Sequence, residues 1–404
     1  MTQAGTTSGL PIVALLGLFL GCGGGTGGTI ASGTGGSSST GGKSTATGGI
    51  DSRGGVTSSG GHTPSGGVTS SGGVTSSGRV TSSGGVTSSG GVASGGSTGS
   101  TTGGTTGTAT GGTTETATGG TTGTAGSSGG YAIGNPAVPS AGCGTALSTF
   151  KSGANTTYKM TSATLSREYI MYIPSSYDAN KPYRLIFNFH CMGSSDTQCA
   201  NNDGYYWLKA QDTANTTIFV APQGYTDSMP WRSDDKDHTF FDDMLKLFKS
   251  ELCIDESRVF SIGFSFGGME TYSLSVDHQK DLRAAVGIAP ANYNIYVPSS
   301  KSHLPIAWMQ TTGMSDTTCP YVNGTSTTQG SKYIAIEHGT DNGCTVPSTI
   351  PTWTSGNHLC VDFTGCKAGY PTKICTFNGP HTDVSTESGT NWIPTEAWKF
   401  ITQF

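Results

Sequence analysis

"SIGFSFGGME", Ser261 to Glu270, contains Gly263-Phe264-Ser265-Phe266-Gly267, a G-x-S-x-G pattern. Such a pattern matters only where a strand turns sharply into a helix, because that turn lifts the serine hydroxyl clear of the backbone. The chain has 64 glycines, and the same spacing recurs at Ser97 and at Ser128, so surroundings must decide between them. Ser265 follows "RVFSIG", a nearly continuous apolar run of the kind that is buried on both faces of a sheet, and precedes the helical stretch "FGGMETYSLSV". Ser97 and Ser128 lie in Gly/Ser/Thr sequence that offers neither strand nor helix to hold a turn. Ser265 is therefore the candidate nucleophile.

Composition divides the chain. From Gly23 to Gly130 it is almost entirely Gly, Ser and Thr, without Phe, Tyr or Trp, and a degenerate "GGVTSSG" repeat runs from about Gly54 to Gly91. One Val per repeat buries too little to offset backbone entropy, so residues 23–130 are expected to be a disordered linker and not a solenoid. All fifteen Tyr and all six Trp fall in 131–404, a length that suits one α/β domain. A formal net charge of −5 with no basic patch argues against nucleic-acid binding.

Residues 1–22 read as a signal peptide: Leu10 to Leu20 is an apolar run too short to span a bilayer, directly before Gly21-Cys22. The small residue before Cys22 and the "GGGTGG" after it resemble a bacterial lipoprotein signal, with Cys22 as the lipidated residue and the sole membrane attachment. Phe19-Leu20 and the lack of Lys or Arg before Leu10 depart from that pattern, and plain secretion is the alternative. Beyond the linker stand nine cysteines with no C-x-x-C pair, which points to disulfides in an oxidising compartment with at least one thiol left over. Cys360 and Cys375 flank the turn "GCKAGYP" and can face each other across a hairpin; spacing leaves the other pairings open.

The runs "REYIMYIP", "YRLIFNFH", "TTIFVAPQG", "RVFSIGFS", "AAVGIAP", "LPIAWMQTTG" and "TKICTFNG" read as strands. "HTFFDDMLKLFKSEL" sets Phe240, Phe241, Met244, Leu245, Phe248 and Leu252 on one helical stripe, and "NWIPTEAWKFITQF" closes the chain as a helix. The expected fold is α/β, a mainly parallel sheet with helices on both faces.

A serine hydroxyl needs a histidine base and a carboxylate to orient it, and in such a sheet these follow in the order Ser, acid, His, each on a loop after a later strand. His381, in "KICTFNGPHTD", meets that condition; His303, His338 and His358 meet it less well. Asp316, in "WMQTTGMSDTTCP", is the candidate acid, with Asp341 the runner-up and Asp383 a turn residue. The oxyanion hole is expected from the backbone N–H groups of Phe266 and Met192, with Cys191 the alternative to Met192. His190 reads as a hydrogen-bonded residue that orients this loop. Trp231, Tyr225 and Tyr206 are candidates to floor an aromatic acyl pocket, although any core has buried aromatics.

From Gly142 to Phe404 the chain resembles the secreted feruloyl esterases related to the polyhydroxybutyrate-depolymerase-like esterases of the α/β-hydrolase superfamily. The resemblance is carried by "AGCG", "SREYIMYIPSSYDANKPYRLIFNFH", "IFVAPQG", "TFFDDMLKLFKSELCIDESRVFSIGFSFGGM", "GMSD", "GCKAGYP" and "FNGPHTDVSTESGTNWIPTEAWKFITQF". It implies Ser265 as nucleophile, Asp316 as orienting acid and His381 as base, with disulfides that use Cys143, Cys253, Cys344 and Cys366. "HCMGSSDTQC" departs from the aromatic and glycine-rich pattern usual there, and Cys191, Cys199 and Cys319 look additional, so a bridge among them is expected to reshape the entrance. The reading is a monomeric serine carboxylesterase, without metal or organic cofactor, that acts on feruloyl groups of plant polysaccharide such as arabinoxylan. Acetylxylan esterase and polyhydroxyalkanoate depolymerase are the alternatives on the same three residues, and a binding module with a dead site is the alternative outside enzymes.

Overall fold

The computed structural model describes residues 136–404. The signal at 1–22 with Cys22 and the linker at 23–130 lie outside the described residues. Among those described, no helix is long and apolar enough to cross a membrane.

One nine-stranded sheet organises this part of the chain. Its strands are β1 (Asn155–Ser162), β2 (Leu165–Tyr172), β3 (Tyr183–Phe189), β4 (Thr217–Pro222), β5 (Ile254–Phe264), β6 (Ala284–Ile288), β7 (Ala307–Gly313), β8 (Leu359–Asp362) and β9 (Thr372–Phe377), in the spatial order β1-β2-β4-β3-β5-β6-β7-β9-β8. From β4 to β9 the neighbours pair in parallel, while β1, β2 and β8 run antiparallel to theirs. The helices are α1 (Leu208–Gln211), α2 (Lys236–Glu251), α3 (Phe266–Ser275), α4 (Ser331–Asp341) and α5 (Ile393–Thr402), and a small hairpin pairs Thr386–Glu387 with Thr390–Asn391. This is the α/β-hydrolase arrangement, as expected from the sequence.

The core strands are apolar on both faces because each face has its own core. Leu185, Phe187 and Phe189 of β3 join a cluster with Phe241, Met244 and Phe248 of α2 and Tyr272 of α3. Ile186 points the other way, into a cluster with Ile262, Met309 and the α5 residues Ala397, Phe400 and Ile401. At about 25 cal/mol per Å² of apolar surface removed from water, these two layers are the main source of stability.

Two strands escape the sequence reading. β1, "NTTYKMTS", and β8, "LCVD", are edge strands with half-exposed side chains, so neither shows the continuous apolar run that marks the others. β8 does realise the expected hairpin: Cys360 lies opposite Cys375 and the two are bonded. Cys143–Cys253 and Cys344–Cys366 are the other described disulfides. Cys199 and Cys319 are free and buried, so the bridge expected among Cys191, Cys199 and Cys319 does not form between them. Each sits in packed surroundings, Cys199 beside Asn188 and Cys319 against Met269 and Ala291.

Cys143–Cys253 spans 110 positions and ties the start of the described chain to the entry of β5. Replacing both cysteines by Ala is expected to cost about 2–5 kcal/mol of unfolding free energy. A urea midpoint unchanged in the double variant would contradict this.

Candidate active site

Ser265 occupies the turn between β5 and α3 with φ 56 and ψ −119, outside the regions that non-glycine residues ordinarily adopt. Its glycine neighbours explain how the turn is possible. A Cβ on Gly263 would lie 2.2 Å from the carbonyl oxygen of Gly267, and one on Gly267 would lie 1.8 Å from the carbonyl oxygen of Phe189. Strand, turn and helix therefore close on one another only because both positions lack a side chain. The Ser265 N–H donates to Ile288 O at 3.0 Å, which fixes the turn to β6.

Parallel strands bring their carboxyl ends to one edge, and the three candidates arrive there together. Asp316 follows β7 and His381 follows β9. The Met314 N–H donates to Phe377 O at 2.9 Å and the Ser315 N–H to Gly379 O at 3.0 Å, so the acid loop and the histidine loop are tied by backbone bonds. His381 Nε2 lies 2.7 Å from Ser265 Oγ, and His381 Nδ1 lies 2.7 Å from Asp316 Oδ2. The Asp316 side chain is wholly buried, and its Oδ1 accepts the N–H groups of Thr318 and Cys319, both at 2.8 Å. With Oδ1 so engaged, Oδ2 accepts from Nδ1, and the lone pair of Nε2 is left facing the serine hydroxyl. Phe264 packs on the imidazole at 4.8 Å between ring centres.

The competing residues are engaged elsewhere. Asp341 pairs with His303 at 3.0 Å. His338 is buried in α4, bonded to Ser275 Oγ at 2.8 Å and stacked on Trp308. His358 pairs with Glu387 and stacks on Trp392. Asp383 is half-buried on the His381 loop, and burial raises its pKa.

Phe266 is the first residue of α3, where a backbone N–H has no acceptor within its helix. Met192 lies just past β3, whose last carbonyl touches Gly267, so both expected oxyanion donors sit on segments in contact. His190 organises this loop. Its Nε2 accepts the Gly224 N–H at 2.9 Å, so its proton lies on Nδ1, which donates to Cys191 O at 2.9 Å. Burial lowers its pKa to about 4 and keeps the ring neutral. Two of the three aromatic candidates, Trp231 and Tyr206, need correction. Trp231 is completely buried and donates its indole N–H to His190 O at 2.8 Å, so it supports the loop and does not offer a face to substrate. Tyr206 is also buried; its hydroxyl donates to Phe189 O at 2.7 Å and accepts the Phe264 N–H at 3.3 Å, a brace between β3 and β5. Tyr225 is half-exposed and lies under the Arg232 guanidinium.

A buried ionic network beneath this loop was not legible in the sequence. Arg167 Nη2 lies 2.7 Å from Asp237 Oδ1 and donates to Gln223 O at 3.1 Å, while Asp237 Oδ2 accepts the N–H of Arg232, the residue after Trp231. Glu270, which ends the stretch "SIGFSFGGME", is fully buried beside this pair, and neither of its carboxyl oxygens has a hydrogen-bond partner. Burial, with Asp237 as a second cause, raises its pKa well above the ordinary carboxyl value.

The unfolded chain loses the Glu270 proton near its ordinary pKa of 4.5 while the folded chain keeps it, so this residue lowers stability as pH rises above that value. Glu270→Gln is expected to change little at pH 4 and to stabilise at pH 7, whereas Asp237→Asn, which leaves Arg167 buried without a counter-charge, should cost about 3–5 kcal/mol. Thermal melts at the two pH values check both; a Glu270→Gln variant less stable at pH 7 than at pH 4, relative to wild type, would contradict the assignment.

No family model matches the chain. Among curated proteins it is 29% identical over 280 residues to feruloyl esterase D of Neurospora crassa, across 66% of this chain and 91% of that one. It is 30% identical over 241 residues to a probable feruloyl esterase C of Aspergillus flavus, across 58% of this chain and 83% of that one. Feruloyl esterase C of Emericella nidulans is 29% identical over 241 residues, across 58% and 83% respectively. With the sheet order and the Ser265 turn described above, these similarities mean that the chain belongs to the feruloyl esterase family of α/β-hydrolases and is a carboxylic-ester hydrolase.

Proposed function

We propose that the chain hydrolyses feruloyl esters on plant cell-wall polysaccharide, with Ser265 as nucleophile, His381 as general base and acid, and Asp316 as the group that orients His381. The observation that carries the reading is the 2.7 Å approach of His381 Nε2 to Ser265 Oγ in a chain whose relatives bear the name feruloyl esterase. In the first step Ser265 Oγ attacks the ester carbonyl carbon as its proton passes to His381 Nε2. The negative charge that develops on the carbonyl oxygen is met by the N–H groups of Phe266 and Met192 and by the positive end of α3. The tetrahedral intermediate collapses as the sugar alkoxide leaves with the proton held by His381. Water, deprotonated by the same nitrogen, then attacks the acyl-enzyme and releases ferulate and Ser265.

An aromatic acyl group suits the surroundings of Ser265. Phe266, Tyr293 and Ile295 are partly buried and pack against Met269, Ala291 and Cys319, an apolar cluster that joins the residue after Ser265 to the loop of Asp316. Tyr293 donates its hydroxyl to Thr318 O at 3.0 Å, so this cluster is fixed to the loop that carries the acid. Three described disulfides suit work in an oxidising, extracellular setting.

The test compares methyl ferulate, acetylated xylan and a short polyhydroxyalkanoate with wild-type protein and Ser265→Ala. Methyl ferulate is expected to have the highest kcat/KM, and Ser265→Ala to lower kcat by about 10⁴-fold or more. Acetate release without ferulate release would overturn the feruloyl reading, and equal rates for wild type and Ser265→Ala would overturn the serine mechanism.

A further inference from the structure

At the far end of α3 from Ser265, two histidines and an aspartate converge. His238 lies in the first turn of α2, while Asp277 and His278 follow the last residue of α3, Ser275. One ligand atom from each of the three lies within 4.8 Å of the others. His238 Nδ1 is 2.9 Å from Asp277 Oδ2, and His278 Nδ1 is 3.8 Å from the same oxygen. The His278 side chain is more than nine-tenths buried, and its Nδ1 has no hydrogen-bond partner. Leaving such a nitrogen unpaired is unfavourable unless something occupies its lone pair or takes its proton.

The outward nitrogens of both rings are already engaged. His278 Nε2 lies 3.1 Å from Asp242 Oδ1 and donates to it, which leaves Nδ1 as the ring's acceptor nitrogen. His238 Nε2 lies 2.7 Å from Ser273 Oγ, and that hydroxyl donates its only proton to Tyr296 O. Ser273 can therefore only accept from His238, which places the His238 proton on Nε2 as well. The Nδ1 lone pair of His238 then points at the Asp277 carboxylate, an arrangement that is repulsive unless a cation sits between them. Two imidazole nitrogens and a carboxylate oxygen within 4.8 Å of one another, with each ring fixed by a hydrogen bond from its opposite nitrogen, is the pattern of a metal site with its supporting partners.

We propose that His238 Nδ1, His278 Nδ1 and Asp277 Oδ2 bind a divalent transition-metal ion of the Zn²⁺ class, with water completing the coordination. Ligand atoms about 2.0–2.1 Å from a tetrahedral zinc stand about 3.3 Å apart, a spacing these side chains reach by small rotations. Asp277 is exposed, which gives the ion a path from solvent. The site also lies at the carboxyl end of α3, where the helix dipole favours a cation. A bound ion would staple the start of α2 to the end of the helix whose other end carries Ser265. This proposal is independent of which ester the enzyme cleaves.

The full-length protein, freed of metal by chelator, is titrated with Zn²⁺ by calorimetry, and its melting temperature is recorded with and without Zn²⁺. One high-affinity site and a raised melting temperature are expected, because the ion binds the folded chain alone. Asp277→Asn, at an exposed position, and His278→Ala should each weaken binding at least tenfold and abolish the thermal shift. Asp242→Asn, which removes only the partner of His278 Nε2, should weaken it about tenfold. Hydrolysis of a p-nitrophenyl ester by the chelated variants should match that of chelated wild type. Absence of Zn²⁺ binding, or binding of equal affinity in wild type, Asp277→Asn and His278→Ala, would overturn the proposal.

Discussion

The contact between Gly267 and the carbonyl oxygen of Phe189 is the constraint on which the site depends. At that point the end of β3 meets the first turn of α3 with no room for a methyl group. The contact sets the loop of His190 and Met192 beside the turn of Ser265, so both expected oxyanion donors belong to segments pressed against each other. The strain at Ser265, φ 56, is held from both sides by the bond of its N–H to Ile288 and by the packing of α3 on β3 and β6. A strained serine persists only where its surroundings over-determine it, and the hydroxyl it presents to His381 is the result.

Behind that contact the polar groups form successive layers of support. Trp231 holds the carbonyl of His190, His190 holds Gly224 and Cys191, and Tyr206 joins Phe189 to Phe264. Below them Arg167 and Asp237 fix the segments that lead into Trp231. Asp316 is anchored in the same manner by two backbone N–H groups, so His381 swings neither toward solvent nor away from Ser265. Catalysis in this account is preorganisation: the charges and donors stand in place before the ester arrives.

What could be read from the sequence follows from how local each signal is. The turn at Ser265, the strands beside it and the α2 stripe from Phe240 to Phe248 are written in consecutive residues, and His381 and Asp316 follow from chain order and strand positions. The Cys360–Cys375 bridge is local too, since a hairpin makes partners of near neighbours. The edge strands β1 and β8 lack a continuous apolar run and pass unnoticed. Trp231 and Tyr206 depart from expectation for a different reason: an aromatic residue's identity does not say which face of the sheet it meets. Glu270 and the cluster of His238, Asp277 and His278 have no local signal, because their partners stand on two helices far apart in the chain.

The central claim is that Ser265 carries the acyl group between two steps, and mass spectrometry of rapidly quenched enzyme tests it most directly. Protein mixed with excess methyl ferulate and stopped in acid within the first turnover should gain the mass of one feruloyl group, on the proteolytic peptide that contains Ser265. The same experiment with Ser265→Ala should show no gain. A feruloyl adduct on another residue, or product formed at full rate with no adduct in the wild-type protein, would contradict the account.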